Sequence, residues 1–374
     1  MNANLTPENT MSVNVTSPNG GEIWKGGDPH TITWNMENDW YPDNDILVEI
    51  YCCYIGSSGP WMHIDTVVGL ESYTWNSVPP VDYTNCYIRV NCTDPDFLST
   101  EDISDGPFKI DSTPPAPASN VRAELDGLGV RIHWDHTPSP DLDHYEVYWR
   151  MNAFNPTGNS YASSINAGNN TTAFHANVGS ENPQRYFYQI RTFDKVGHET
   201  RTTIQAGKYG KTLSTFTHPD GWFLCGLPLE VSNNSVENLM QSIDGDFHVM
   251  VYRNHVWLHY CTYWPPQLNT LHETYQGEGF WLNVFNNDRL AIAGTVTDVM
   301  ISLETGWNLV AFPYTGPMSV SALLPIIPGA SQIMISDPSS PYNIKIATGS
   351  EILNPLDGFW VYVNFDTVWP AVNY

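Results

Sequence analysis

The sequence predicts a mainly β protein, in which two β-sandwich domains precede a duplicated, small β-rich domain with short helices. Its 27 glycines and 28 prolines are spread along all 374 residues, too frequent a punctuation for long helices. Between these breaks apolar and polar residues alternate with period two, as half-buried strands require. The last part of the chain repeats itself anchor by anchor, the mark of a duplicated unit. Apolar residues make up 41%, which rules out a largely disordered chain.

Residues 1–112 hold an N-terminal tail and the first sandwich. In Ile46-Leu-Val-Glu-Ile-Tyr-Cys52, Val48, Ile50 and Cys52 share one face, with Glu49 and Tyr51 on the other. In Cys86-Tyr-Ile-Arg-Val-Asn-Cys92, Ile88 and Val90 face the core and Arg89 faces water. Tyr73-Thr-Trp75 supplies another strand, stopped by Val78-Pro-Pro80. With Ser17-Pro-Asn-Gly-Gly-Glu-Ile-Trp24, Ile32-Thr-Trp34 and Gly106-Pro-Phe-Lys-Ile110, this order resembles an Ig-like module of secreted cell-surface proteins, the kind shared with the Ser-Thr-rich fungal cell-wall family. Pro114, Pro115 and Pro117 then fix φ and withhold donors, making Asp111–Ser119 a stiff linker.

Residues 113–212 form the second sandwich. Val130, Ile132 and Trp134 share a face, Pro138–His144 turns the chain into Tyr145-Glu-Val-Tyr148, and Tyr186–Asp194 alternates before the turn Asp194…Gly197. A Trp from an early strand and a Tyr from a late one, packed between sheets, is what a sandwich of about 100 residues needs. The ordered set Trp134, Tyr145, Tyr186, Tyr188 and Asp194…Gly197 resembles a fibronectin type III domain over its full length.

Residues 213–374 contain the duplication, with copies at about 213–297 and 298–374. Gly221-Trp-Phe-Leu-Cys-Gly-Leu-Pro228 recurs as Gly306-Trp-Asn-Leu-Val-Ala-Phe-Pro313, Ser235-Val-Glu-Asn-Leu239 as Ser319-Val-Ser-Ala-Leu323, and Gly279-Phe-Trp281 as Gly358-Phe-Trp360. Ser235 and Ser319 each cap a short helix, with Val236, Leu239, Met240 and Ile243 or Val320, Leu323, Leu324 and Ile327 at helical spacing. Met250–Trp257 reads as a hairpin turning at Arg253-Asn254, and its aromatics have no counterpart in the second copy. The arrangement is similar to tandem Gly-Trp-Asn-Leu and Gly-Phe-Trp repeats at the C-termini of many archaeal and bacterial secreted or surface proteins.

Six cysteines form an even set. Cys225 and Cys261 share one repeat copy and read as a disulfide. Cys86 and Cys92, six apart on one strand, are separated by roughly 20 Å and cannot bond each other without a bend. Each needs Cys52 or Cys53, yet those neighbours point to opposite faces while Cys86 and Cys92 share one. A bulge at Cys52-Cys53, or Cys92 lying past the strand end, resolves the conflict; so does one bridge with two free thiols. Sequons stand at Asn4, Asn14, Asn91, Asn169, Asn170 and Asn233, and with the module types they favour a secreted or cell-surface address. The N-terminus has neither the basic nor the apolar region of a signal peptide as it stands.

Charge narrows the partners. Lys and Arg total 15 against 40 Asp and Glu, a net charge of −25, so nucleic acid and anionic membrane surfaces are excluded. No apolar run approaches the roughly 20 residues that cross a bilayer, so membrane insertion is not expected.

No catalytic or metal site is expected. His255 and His259 are four apart in strand-like sequence, about 13 Å, too far for one metal. His133 and Asp135 share a face beside Trp134, but no nucleophile elbow accompanies them. Acidic clusters at Asp94, Asp96, Glu101, Asp102 and Asp105, at Asp141 and Asp143, and at Asp244 and Asp246 read as solvated loops, with calcium as the minority alternative and no other cofactor. Aromatics reach 13%. Trp34, Trp75, Trp134, Trp222, Trp281, Trp307 and Trp360 fall on inward faces or repeat anchors, which leaves Trp40, Trp61 and Trp264 as candidate ligand aromatics. The reading is a non-enzymatic extracellular structural or adhesive protein, self-associating as a filament or surface-layer subunit or binding other surface proteins. In its sharper form the tail Met1 to Ser12 adds to a neighbour's open sheet edge. The alternative is a set of carbohydrate-binding accessory modules of a larger secreted hydrolase, with glycans as partners.

Overall fold

The computed structural model describes residues 10–154, 160–340 and 342–372. By contacts the chain divides into two units, Met1–Pro115 with Asp194–Glu199, and Ala116–Phe193 with Thr200–Tyr374. The fold is mainly β, as the sequence predicts.

The first unit is a sandwich of β1 (Met11–Ser17), β2 (Ile23–Lys25), β3 (His30–Asn38), β4 (Leu47–Cys53), β5 (Met62–Val68), β6 (Ser72–Trp75), β7 (Tyr83–Thr93), β8 (Ser99–Ile103) and β9 (Phe108–Asp111). One sheet runs β1-β3-β6 and the other β2-β9-β7-β4-β5, with β8 on β7. Alternation places Ile32, Trp34 and Met36 of β3 against Val48, Ile50 and Cys52 of β4 and Ile88, Val90 and Cys92 of β7, all buried in one core. Met11 and Ser12 already pair with Asn38 and Glu37, so they belong to the first strand and not to a tail. Arg89 points outward as expected but is half-buried, its guanidinium 4.6 Å from the Tyr51 ring and 4.9 Å from Trp61.

All six cysteines are buried free thiols. In the pairing of β4 with β7, Cys92 faces Val48 and Cys52 faces Ile88, which sets Cys86 diagonal to Cys52 and leaves Cys92 about 13 Å further along the sheet. Cys225 and Cys261 lie on strands three places apart in one sheet, about 14 Å at ordinary strand spacing, against the roughly 7 Å a disulfide spans. Strand order, which the sequence does not reveal, therefore opposes the bridge expected there. Native protein under reductant should leave all six thiols unmodified by iodoacetamide, and denatured, unreduced protein should label all six; four labels or fewer would reveal a bridge.

In the second unit, β10 (Ser119–Asp126), β11 (Gly129–Asp135), β12 (Leu142–Arg150), β13 (Ser163–Gly168), β14 (Thr172–His175), β15 (Tyr186–Asp194), β16 (Glu199–Arg201) and β17 (Gln205–Leu213) make a second sandwich. Trp134 and Tyr145 are buried and meet edge-on at 5.6 Å, and the Thr137 amide donates to the Tyr145 hydroxyl at 2.7 Å. Both faces of β15 are buried. Tyr188 and Ile190 face the inter-sheet core, while Phe187, with Tyr209 and Leu213 of β17, joins a core shared with Phe223, Leu227 and Val236 of the duplicated region.

That region comprises β18 (Trp222–Gly226), α1 (Val236–Leu239), β19 (Phe247–Arg253), β20 (Val256–Cys261), β21 (Gly279–Val284) and β22 (Asp288–Val296), then β23 (Val299–Leu303), β24 (Gly306–Ala311), β25 (Met318–Ser319), α2 (Val320–Leu323), β26 (Ala330–Ser336), β27 (Ile344–Ile346), β28 (Ile352–Leu353), β29 (Gly358–Val363) and β30 (Thr367–Ala371). The two four-stranded sheets share one order, β18-β21-β19-β20 and β24-β29-β26-β27. Ser235 and Ser319 cap their one-turn helices by accepting from the Asn238 and Ala322 amides, both at 3.3 Å. β22 pairs with β17 over its whole length, Gln205 to Val296 through Leu213 to Asp288. The first copy thereby adds a strand to the second sandwich.

The copies join through reciprocal hydrogen bonds. The Gly226 amide donates to the Leu356 carbonyl at 3.0 Å and the Ala311 amide to the Gly277 carbonyl at 2.8 Å, while Cys225 bridges Asp357 and Glu278 bridges Val310. Each pair is the repeat equivalent of the other. Lys211 of β17 locks this junction, donating to Asp357 at 2.7 Å and to the Leu224 carbonyl at 3.1 Å. Burial works to lower its ammonium pKa, but the Asp357 carboxylate prevails and holds it above the usual lysine range.

Candidate ligand cleft

A cleft of about 720 Å³ opens between the first copy's β19–β20 hairpin and the β24 and β29 strands of the second copy. The hairpin turns at Asn254 and His255, with φ of 52° and 61°, while Arg253 still pairs with Val256. Two successive positive φ values are the mark of a two-residue type I′ turn, so the turn lies one residue later than the sequence suggested. This geometry lifts Tyr252 and Trp257 over the second copy's Trp360. Ring centroids stand 5.1 Å apart for Tyr252 and Trp257, 5.6 Å for Tyr252 and Trp360, and 6.0 Å for Trp257 and Trp360. Trp307, edge-on to Tyr362 at 5.4 Å, lines the cleft beside them.

The ionisable groups of the cleft are paired. Arg253 grips Glu278 through Nε at 2.8 Å and Nη2 at 2.7 Å, and donates from Nη2 to the Glu273 carbonyl at 3.2 Å. The Glu278 hydrogen bond raises the guanidinium pKa further, against burial. The Glu278 carboxylate also accepts from the Tyr275 amide at 2.9 Å, so it closes a turn as well as the ion pair. His255 Nε2 lies 2.9 Å from Glu304 Oε2, both exposed. The cleft therefore offers aromatic rings and fixed charge.

The candidate aromatics lie elsewhere. Trp40 is 51% exposed. Trp61 covers Arg89, and Trp264 packs on His248 and His259, 5.0 and 5.9 Å away, so neither is a free platform. His259 bonds His248 at 3.0 Å rather than meeting His255. Trp222, Trp307 and Trp360, read as inward anchors, are only half-buried. Anchoring a strand and facing solvent are compatible for an indole whose sheet has one open face. The signal available in sequence was the asymmetry of the two hairpins.

Several of the acidic side chains are engaged by the protein itself. Asp94 accepts from the Leu98 amide at 2.9 Å and Asp102 from the Val15 amide at 2.7 Å, while Asp105 accepts from Asn19 Nδ2 at 2.8 Å. Asp143 bonds His144 at 2.7 Å, and Asp246 accepts from Thr262 at 2.9 Å. Among the described residues the group with metal-ligand geometry is instead Asp111, Asp194 and His198, all within 4.8 Å. There Asp194 accepts from the Val196 and His198 amides and from the His198 ring, at 3.0, 2.8 and 2.7 Å. His133 bonds Glu124, 2.9 Å away across the strand pair, and not Asp135. Of the sequons, Asn14, Asn169, Asn170 and Asn233 are exposed, Asn91 is half-buried with its amide donated to Glu49, and Asn4 lies outside the described residues.

No family model matches the chain, and no curated protein does. Among solved structures, the FN1–FN3 domains of chicken CNTN1 are similar at 14% identity and TM-score 0.32, over 49% of this chain and 64% of that one. The fibronectin(III)-like modules of Clostridium thermocellum CbhA are similar at 13% identity and TM-score 0.29, over 51% of this chain and 90% of that one. Such likeness concerns fold alone. No helix among the described residues is long and apolar enough to cross a membrane.

Proposed function

We propose that the chain is a non-enzymatic extracellular structural or adhesive protein. The observation that supports this best is the chemistry of its cleft, where Arg253 neutralises Glu278 and His255 meets Glu304. Carboxylates held this way are set to accept hydrogen bonds from a ligand and orient it. The serial β modules, the exposed sequons and the resemblance to surface-protein repeats agree with this reading. Sedimentation velocity and negative-stain imaging test it: concentration-dependent assembly is expected, and a strict monomer at all concentrations would overturn the structural form. Deleting residues 1–9, which precede β1, abolishes assembly if the tail donates a strand to a neighbour and leaves it intact otherwise. A second reading, glycan-binding modules accompanying a larger hydrolase, is favoured by the exposed Trp257 and the half-buried aromatics beside it in the cleft.

A further inference from the structure

The duplication supplies an internal control. Both copies keep the Gly-Trp and Gly-Phe-Trp anchors, the capping serines and the strand order, so those features are what the fold demands. Met250 pairs with Trp281 and Met334 with Trp360 at equivalent places in the two sheets. Two residues on, the first copy has Tyr252 facing Trp257 across the hairpin, and the second has Ser336 facing Ile344. The second hairpin forms without aromatics. Tyr252 and Trp257 are therefore not required by the scaffold, and Trp257 remains 37% exposed, at the cost of apolar surface in water.

We propose that this cleft binds a neutral oligosaccharide, an inference that rests on the glycan reading above. Its volume falls in the range that holds a ligand of a few rings. A pyranose has an apolar C–H face and a rim of hydroxyls, and the cleft presents matching groups: the aromatic rings of Tyr252, Trp257 and Trp360, bordered by the Glu278 and Glu304 carboxylates and Arg253. Ion pairing holds these rim groups in place before binding, which lowers the ordering cost. Uronic or sulfated chains are disfavoured, because the exposed Glu304 carboxylate and a net charge of −25 repel them. A purely apolar ligand would strand the charged rim.

Calorimetry on the full chain with cello-, malto-, xylo- and N-acetylchito-tetraose tests the site, with polygalacturonate and a proline-rich peptide as contrasts. Saturable binding of at least one neutral tetraose is expected, weakened at least tenfold in Trp257→Ala. Trp40→Ala and Trp264→Ala should bind as the parent does. Trp257 is partly exposed, and an unchanged circular dichroism spectrum confirms that its variant folds; Trp257→Phe, which keeps a ring face, should restore part of the affinity. No binding by any neutral tetraose at millimolar concentration, binding insensitive to Trp257→Ala, or preference for polygalacturonate or the peptide would each overturn the proposal. Sedimentation of the same samples separates the readings, since self-association that persists without sugar binding leaves the structural reading standing while the cleft assignment fails.

Discussion

Gly358→Ala is expected to destabilise the second unit by about 3 kcal/mol or more, the upper range for forcing atoms into a packed interior. A Cβ at this position would sit 2.1 Å from the Cys225 carbonyl oxygen and 2.8 Å from its carbon. The obstacle is backbone, and it cannot rotate away as a side chain would. Gly279, the repeat equivalent, meets the Val310 carbonyl oxygen at 2.6 Å, so Gly279→Ala should show a similar loss. These glycines let the two copies approach closely enough for the Gly226–Leu356 and Ala311–Gly277 hydrogen bonds. Gly316, with no heavy atom within 4 Å of its would-be Cβ, is the control, and Gly316→Ala should shift the urea midpoint little. Equal midpoints for Gly358→Ala and Gly316→Ala would refute the close approach.

Raising the pH from 8 to 10 under reductant should cost several kcal/mol of stability. Burial pushes the Cys86 and Cys92 thiols up to about 12 and Cys225 up to about 11, and raises Cys52 further. An unfolded thiol titrates near 8.5, so over this window the unfolded chain releases protons that the folded one retains, and stability falls as pH rises. At pH 10 the four thiols together withdraw roughly 5 to 8 kcal/mol. Lys208 acts oppositely: fully buried, it is pushed down to about 8, so between pH 8 and 10 it gives up its proton in the folded state while the unfolded lysine stays largely charged. That returns about 2 to 3 kcal/mol, short of the thiol loss. Urea midpoints should therefore decline across the window, and Cys86→Ala with Cys92→Ala should flatten the slope even if both variants are less stable at pH 7. A parent midpoint unchanged from pH 8 to 10 would contradict the burial of these thiols.

Much of this architecture was legible in the residues because the signals are local. Alternation placed Trp34, Val48, Ile50, Ile88 and Val90 inside; Ser235 and Ser319 announced their helices; the repeated Gly-Trp and Gly-Phe-Trp anchors recur at equivalent strands of two sheets with one order. The turn at Asn254–His255 was missed by one residue, since either Arg253-Asn254 or Asn254-His255 suits a sequence-level turn and only the pairing of Arg253 with Val256 decides. The cleft was not legible. Trp307 and Trp360 were assigned inward for the strands they anchor, and Trp257 was read only as a hairpin residue.

Period, capping and internal likeness are properties of residues a few places apart, so chain order alone was enough to establish strands, short helices, sandwiches and duplication. Sheet order, the separation of Cys225 from Cys261, the pairing of Arg253 with Glu278 and the meeting of Trp257 with Trp360 join residues up to about a hundred positions apart. Trp257 meets Trp360 because the two copies approach closely at small glycines, while the rest follows from strand order and pairing inside one copy, and no local pattern encodes either.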